Sequence, residues 1–143
     1  MQILISKYIL GAMLLICGIT DFKRQKIYNL VTLPVIALGV YVNYYYAGLS
    51  GLTSSLISLA IIAVIGYIIV FFQWLGYGDW KMLIAIAALM GIYYTLALFF
   101  VASLVSCIWA IIIMVRKRVE SVPLGTCMFI AFTGYEILRL VLA

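Results

Sequence analysis

One stretch of this chain restricts its fold more than any other: residues 82–115 contain no charged side chain. As a single straight helix this stretch would be about 51 Å long, whereas the hydrocarbon core of a bilayer is about 30 Å thick. Its length therefore favours two membrane-spanning helices joined by a tight turn. The predicted turn is 91–95, where a glycine that permits tight backbone geometry is followed closely by two tyrosines, which favour the membrane interface.

The rest of the sequence has the same apolar character. Of its 143 residues, 69% are apolar and 9% are charged, whereas a soluble domain carries about 25% charged residues. This composition excludes a soluble globular protein, a disordered chain and a nucleic-acid-binding protein. We predict an all-α fold, a polytopic bundle of about six transmembrane helices that forms a single integral-membrane domain over 1–143. The predicted spans are 3–20, 28–46, 52–75, 79–91, 95–115 and 122–142.

Basic residues are concentrated in three predicted loops, 21–27, 76–81 and 116–121. These loops hold seven of the nine basic residues, and a six-helix bundle places all three on one side of the membrane. Because loops rich in Lys and Arg face the cytoplasm, we predict that these loops are cytoplasmic and that both termini lie on the opposite side. The expected location is the cytoplasmic (inner) membrane, with the lipid bilayer as a partner.

Small residues indicate where the helices pack closely. Ser54, Ser58 and Gly66 recur at multiples of four on the third predicted span, and Ser103 and Cys107 do so on the fifth. Small side chains at this spacing let helix backbones approach in lipid. The three cysteines lie far apart and the chain has no histidine, so we expect buried apolar thiols and no metal site.

Two of the four acidic residues, Asp21 and Asp79, lie at helix ends on the predicted cytoplasmic side. An ionisable side chain at membrane depth is costly and is therefore a functional candidate. The alternative is that each carboxylate only offsets nearby basic residues. Asp79 also follows Gly76 and Gly78, where glycine permits backbone geometry and close approach that other residues block. The predicted topology brings both carboxylates to one face of the membrane at similar depth.

Two carboxylates at one site suit general acid–base hydrolysis. Like-charge repulsion keeps one protonated, so that the ionised one takes a proton from water while the other protonates or polarises the scissile amide. Such a site needs no metal or cofactor, and the absence of histidine excludes triads that depend on it. From the helix dipoles we expect Asp79, at a helix start, to be the ionised member and Asp21, at a helix end, to be protonated.

Three stretches resemble the type IV prepilin peptidase family, membrane aspartic peptidases with a GxGD motif. Residues 21–29, DFKRQKIYN, are similar to the family's first motif, an Asp followed after several residues by Ile-Pro-Asn. Residues 76–81, GYGDWK, are similar to its GxGDxK motif, and 122–125, VPLG, to a Pro-aromatic-Gly-Pro stretch that opens the last helix. The resemblance covers essentially the whole chain and maps the family's catalytic pair onto Asp21 and Asp79.

The resemblance implies an aspartic endopeptidase that cleaves the basic leader peptide from prepilins and pseudopilins at the cytoplasmic face. These substrates of type IV pilus systems carry a basic leader followed by a long apolar helix. Larger members also have a segment with paired cysteines, which is associated with N-methylation, and nothing in this chain matches it. The chain is similar to the short, peptidase-only form of tight-adherence (Flp-type) systems, so we expect no methyltransferase activity. Tyr28, Leu124 and Thr126 depart from the family's motifs.

Several further residues are supporting candidates. Lys81 is expected to orient Asp79 or the substrate, or to serve only as a cytoplasmic charge. Asn29 is expected to cap the second span or to hydrogen-bond within the site. Pro123 is a first-turn proline that also matches a family motif. Glu136 is expected to pair with Arg139 on the surface of the last span.

Two other functions compete with the peptidase. In a small proton-coupled transporter, Asp21 and Asp79 would carry protons across the membrane. Transporters often show inverted repeats and broken helices near the midplane, and this sequence shows neither. In a non-catalytic membrane scaffold, the glycines before Asp79 would be accidental. Loss of peptide cleavage on replacing either aspartate separates the peptidase from both alternatives.

Overall fold

The described residues form an all-α membrane protein. The computed structural model describes residues 2–24, 27–72, 75–115 and 124–142. Over these residues the chain forms five helices: α1 (Gln2–Arg24), α2 (Asn29–Phe71), α3 (Tyr77–Met90), α4 (Ile92–Val115) and α5 (Leu124–Leu142). Three of them, α1, α2 and α4, are long and apolar enough to cross a membrane. The predicted fold class is therefore confirmed, whereas the count of six spans is not: α2 joins two of them, α3 is short, and the apolar stretch described in α5, Leu124–Ile137, is shorter than a span.

Helix α2 is a bent element rather than one straight rod. A straight helix of its 43 residues would be about 65 Å long, about twice the thickness of a membrane core. Gly48 interrupts it with φ 63° and ψ −143°, a backbone conformation outside the helical region. Gly48 lies in the uncharged segment between the second and third predicted spans. It divides α2 into a first arm, 29–47, and a second arm, 49–71.

Contacts with α3 show that the first arm runs parallel to that helix. Near the start of α3, Lys81 hydrogen-bonds to Asn29 at the beginning of the first arm. Near its end, the Asn43 side-chain amide donates to the carbonyl oxygens of Ala88 and Leu89, at 2.9 and 3.3 Å. Residue numbers thus increase in the same direction along both helices.

The second arm runs in the opposite direction along the same helix. The Trp80 indole N–H donates to the Ala63 carbonyl oxygen at 3.1 Å, near the start of α3. Near its end, the Ser58 hydroxyl oxygen lies 3.9 Å from where a Cβ on Gly91 would be. Because one arm is parallel to α3 and the other antiparallel, the two arms of α2 form an antiparallel hairpin around it.

Helix α3 is the centre of the bundle. Seven of its 14 residues are buried, and they lie on all sides of the helix: Met82, Leu83, Ala85, Ile86, Ala87, Ala88 and Leu89. The helix ends at Gly91, where φ is +81° and the chain turns into α4. The turn predicted from the length of the uncharged stretch is therefore confirmed at Gly91.

Helices α1 and α5 form an antiparallel pair beside this centre. The Thr126 hydroxyl donates to the Gly18 carbonyl oxygen at 3.0 Å near one end of the pair, and Lys7 forms an ion pair with Glu136 near the other. Glu136 thus takes part in a contact between helices, whereas its predicted pairing with Arg139 is not tested. The side chain of Arg139 lies outside the described residues.

The small-residue prediction is correct at some positions and wrong at others. Ser58 and Gly66 are buried, and a Cβ on Gly66 would lie 2.3 Å from the Trp80 ring. Ser54 is exposed and its neighbour Ser55 is buried instead. On α4, Cys107 is exposed because this helix buries only residues near its beginning, with Ala102 the last of them.

Candidate active site

Asp21 lies in the last turns of α1 and is only 8% exposed. Its Oδ2 accepts a hydrogen bond of 2.7 Å from the backbone N–H of Gly125, in the first turn of α5. The N–H of Thr126 also contacts this carboxylate. A Cβ on Gly125 would lie 3.0 Å from Oδ2 and 3.2 Å from the Asp21 Cβ. Glycine at 125 therefore lets the α5 backbone come close enough to bind the carboxylate.

Asp79 lies in the first turn of α3, after the two glycines of the predicted motif. Gly76 precedes the helix with φ −72°, a value open to any residue. A Cβ on Gly76 would lie 3.1 Å from Asp79 Oδ2, and one on Gly78 would lie 3.1 Å from the Ile27 Cβ. The glycines thus provide space: Gly76 for the carboxylate and Gly78 for the segment between α1 and α2.

The two aspartates line one open cavity of about 490 Å³. They come from different helices, yet they are close enough for the charge of Asp21 to act on Asp79. Residues 27–29 and the beginning of α3 form the remaining walls. The other lining residues are Ile27, Tyr28, Asn29, Gly76, Tyr77, Gly78 and Lys81.

The hydrogen bonds around the two carboxylates differ. Asp21 faces the start of α5, where free N–H groups and the helix dipole stabilise an anion. Among the described residues, no hydrogen-bond donor reaches the Asp79 side chain. Donors to a carboxylate stabilise its ionised form, so the geometry favours Asp21 as the ionised member. The sequence predicted the opposite, an ionised Asp79 and a protonated Asp21, because only the dipoles of α1 and α3 are evident from it. The contact between Asp21 and α5 is not.

Lys81 and Asn29, two of the supporting candidates, contact each other. The Lys81 ammonium donates to Asn29 Oδ1 at 2.8 Å. The residue that precedes α2 is Tyr28, and no side chain caps this helix start, so Asn29 does not act as the predicted cap. The third candidate, Pro123, and the whole of the predicted loop 116–121 lie outside the described residues.

Sequence reasoning did not identify Gly125 as a partner of Asp21. Its signal was present, because it is a glycine beside the predicted start of the last span, on the same side of the membrane as both aspartates. Ile27, which packs against Gly78, was equally unrecognised. The distance between these contacts along the chain explains the omission: Gly125 and Asp21 are 104 residues apart.

Comparisons with known proteins identify a family but no individual relative. Residues 8–111 match the type IV leader peptidase family. The matched segment contains both aspartates and all three of the residues Asn29, Gly76 and Lys81 discussed above. Searches of curated proteins and of solved structures found no match.

Proposed function

Because the chain belongs to the type IV leader peptidase family, we propose that it is a membrane aspartic endopeptidase that cleaves leader peptides from prepilins and pseudopilins. The observation that carries this proposal is the open cavity that Asp21 and Asp79, from two different helices, line together. Two coupled carboxylates of this kind suit acid–base hydrolysis of an amide. The cavity is open, as a site for a chain-like substrate must be.

The hydrogen bond from Gly125 to Asp21 supports one assignment of the two roles. Asp21, bound by the α5 backbone, is the general base that takes a proton from the attacking water. Asp79 is the general acid that gives its proton to the leaving amide nitrogen. After hydrolysis the two protonation states are exchanged, and a proton must return to Asp79 before the next cycle. The pair titrates as a unit, so the activity is expected to depend on pH with a bell shape.

The substrate that fits this setting is a peptide with a basic leader followed by an apolar helix. Family membership implies prepilin-type substrates, and a helix lying in the bilayer would present its end at the depth of the aspartates. The active site and the leader would then lie at the cytoplasmic face of the cytoplasmic membrane. The protein would act as a peptidase alone, since nothing in its sequence matches the cysteine-containing segment of the methylating members.

The decisive experiment measures cleavage of a synthetic prepilin-like peptide by the purified full chain in lipid nanodiscs. Asp21→Asn and Asp79→Asn should each lower kcat by about 1,000-fold, the size of a general acid–base contribution. Glu136→Gln is the matched control, because it also converts a carboxylate to an amide but lies near the other end of α5. It should retain kcat at a temperature where all variants remain folded.

The same variants separate the peptidase from the transporter. Cleavage that survives in either aspartate variant would contradict the acid-pair mechanism. Peptide left intact by the wild type, together with proton uptake into vesicles that Asp79→Asn abolishes, would favour the transporter. Thermal unfolding of each variant shows whether a loss of activity reflects chemistry or folding.

A further inference from the structure

Lys81 lies in the cavity of the acid pair without taking part in the proton transfers. It is two residues after Asp79 and lines the same cavity. Within the described ranges the ion pair found is that of Lys7 with Glu136, so the Lys81 ammonium pairs with neither Asp21 nor Asp79. Its hydrogen-bond partner is the neutral amide oxygen of Asn29.

A neutral partner has a specific consequence for a lysine. A carboxylate would hold the ammonium and cancel its charge, whereas an amide oxygen holds it and leaves the charge intact. An ammonium has three N–H donors, and Asn29 accepts one of them. The other two remain for groups that enter the cavity. Asn29 is also placed for this role, because it begins α2 and faces the start of α3.

We propose that Lys81 is a catalytic electrophile, whose ammonium donates a hydrogen bond to the scissile carbonyl oxygen, and that Asn29 is the positioning residue that aims it. This inference rests on the proposed peptidase function. Donors aimed at an oxygen that gains negative charge during the reaction stabilise the transition state more than the ground state. The Lys81 ammonium lies in the cavity that the two carboxylates line, and its positive charge stabilises the negative charge that develops on that oxygen.

The step balances without any further reactant. Asp21 takes a proton from water, the water oxygen bonds to the carbonyl carbon, and the carbonyl electron pair moves to the oxygen that Lys81 contacts. When this pair returns, the carbon–nitrogen bond breaks and its electrons leave with the nitrogen. Asp79 gives that nitrogen a proton. Lys81 stays protonated throughout and exchanges no electrons.

The competing explanation is structural, because the Lys81–Asn29 hydrogen bond also joins α2 to α3. The two explanations predict different results for Asn29→Asp. An aspartate keeps the acceptor and adds a negative charge, so a structural link would become an ion pair of equal or greater strength. If Lys81 acts as an electrophile, by contrast, the added carboxylate would neutralise its positive charge and weaken its effect on the carbonyl oxygen.

The test measures kcat, KM and the pH dependence of kcat for the full chain with the prepilin-like peptide. Lys81→Met should lower kcat by about 100-fold, the usual effect of removing one such donor, with KM changed less than threefold. Lys81→Arg keeps the charge and should recover most of the activity. Lys23→Met is the matched control, since Lys23 lines a different groove from the acid pair, and it should retain kcat.

Asn29→Asp supplies the decisive comparison. It should lower the maximum of the pH profile of kcat nearly as much as Lys81→Met, while the unfolding temperature stays equal or rises. If the maximum kcat of Asn29→Asp equals that of the wild type, the inference is overturned in favour of a structural link. A profile that moves along the pH axis with its height preserved would also overturn it, because the new charge would then act only on the aspartates.

Failure of this inference is distinguishable from failure of the proposed function. If the wild type cleaves the peptide, Asp79→Asn does not, and Lys81→Met keeps kcat within threefold, the peptidase function stands and the role of Lys81 is contradicted. If the wild type itself leaves the peptide intact, the peptidase function is contradicted and the role of Lys81 with it.

Discussion

The Asp21 carboxylate lies between two opposing helix dipoles. It is at the end of α1, where the dipole disfavours a negative charge, and it faces the start of α5, where the dipole favours one. The hydrogen bond from Gly125 makes the influence of α5 the stronger one and favours the ionised carboxylate, because a charge-assisted bond of 2.7 Å acts directly on it. The ionisation of Asp21 therefore depends on how closely α5 approaches.

This dependence predicts the effect of Gly125→Ala. The added Cβ would lie 3.0 Å from Asp21 Oδ2, so α5 must move away and the N–H bond lengthens. Without this donor the ionised form of Asp21 is less favoured, and a higher pH is needed to generate the base. The acidic limb of the pH profile of kcat should move to higher pH, with kcat at neutral pH reduced about tenfold, since losing a hydrogen bond to a charged group costs about 1.5 kcal/mol.

Gly134→Ala is the matched control for this prediction. It makes the same substitution in the same helix, and nothing lies within 4 Å of the added Cβ. Its pH profile should coincide with that of the wild type. An unchanged acidic limb in Gly125→Ala would show that Asp21 is not the base.

The aspartates were predictable from the sequence for a simple reason. A chain with four acidic residues offers few candidates for a carboxylate pair, and the distribution of basic loops brought Asp21 and Asp79 to one side. The hydrogen-bond partner of Asp21 was not predictable in the same way. It depends on which helix starts at the cavity, and only the packing of α5 against α1 determines that Gly125 faces Asp21.

At the level of helices, two glycines define where the chain reverses. Gly48 and Gly91 are the glycines with positive φ among the described residues, at +63° and +81°. The turn at Gly91 was foreseen from helix length, because 82–115 does not fit a membrane as one straight helix, and Gly48 falls in the uncharged segment between the predicted spans 28–46 and 52–75. Which small residues face a neighbour was harder to foresee. A one-residue change of register exposes Ser54 and buries Ser55, and apolar periodicity does not determine the register when nearly every position is apolar.

Gly48→Ala tests whether the hairpin depends on its turn. Nothing lies within 4 Å of a Cβ at this position, so the cost would come from the backbone alone. A residue with a side chain in this φ/ψ region is strained by about 1–3 kcal/mol, and the free energy of unfolding in mixed micelles should fall by that amount. Gly134→Ala, in a helix and also free of neighbours, should not be destabilised. Equal stability of the two variants would show that the turn adopts another conformation.

At the scale of the whole molecule, the helix directions bring one set of ends together. The end of α1, both ends of the α2 hairpin and the starts of α3 and α5 lie on the same side of the bundle as the acid pair. Gly48 and Gly91 lie on the opposite side. The two arms of α2 run in opposite directions, so that the chain returns to the acid-pair end before α3 begins. Of the basic residues in the predicted cytoplasmic loops, Lys23 and Lys81 have described side chains, and both lie at the acid-pair end.

We therefore expect the two ends of the bundle to differ in accessibility across the membrane. In a chain without its native cysteines, Ser50→Cys and Tyr93→Cys, beside the two turns, should react with an impermeant maleimide in intact spheroplasts. Both positions are exposed. Phe72→Cys, which is 60% exposed at the acid-pair end, should react only after lysis. The reverse pattern would place the site on the non-cytoplasmic face. Labelling of Ser50→Cys and Phe72→Cys from the same side would contradict the hairpin topology, because the two arms of α2 would no longer return the chain to the side on which Asp79 meets Asp21.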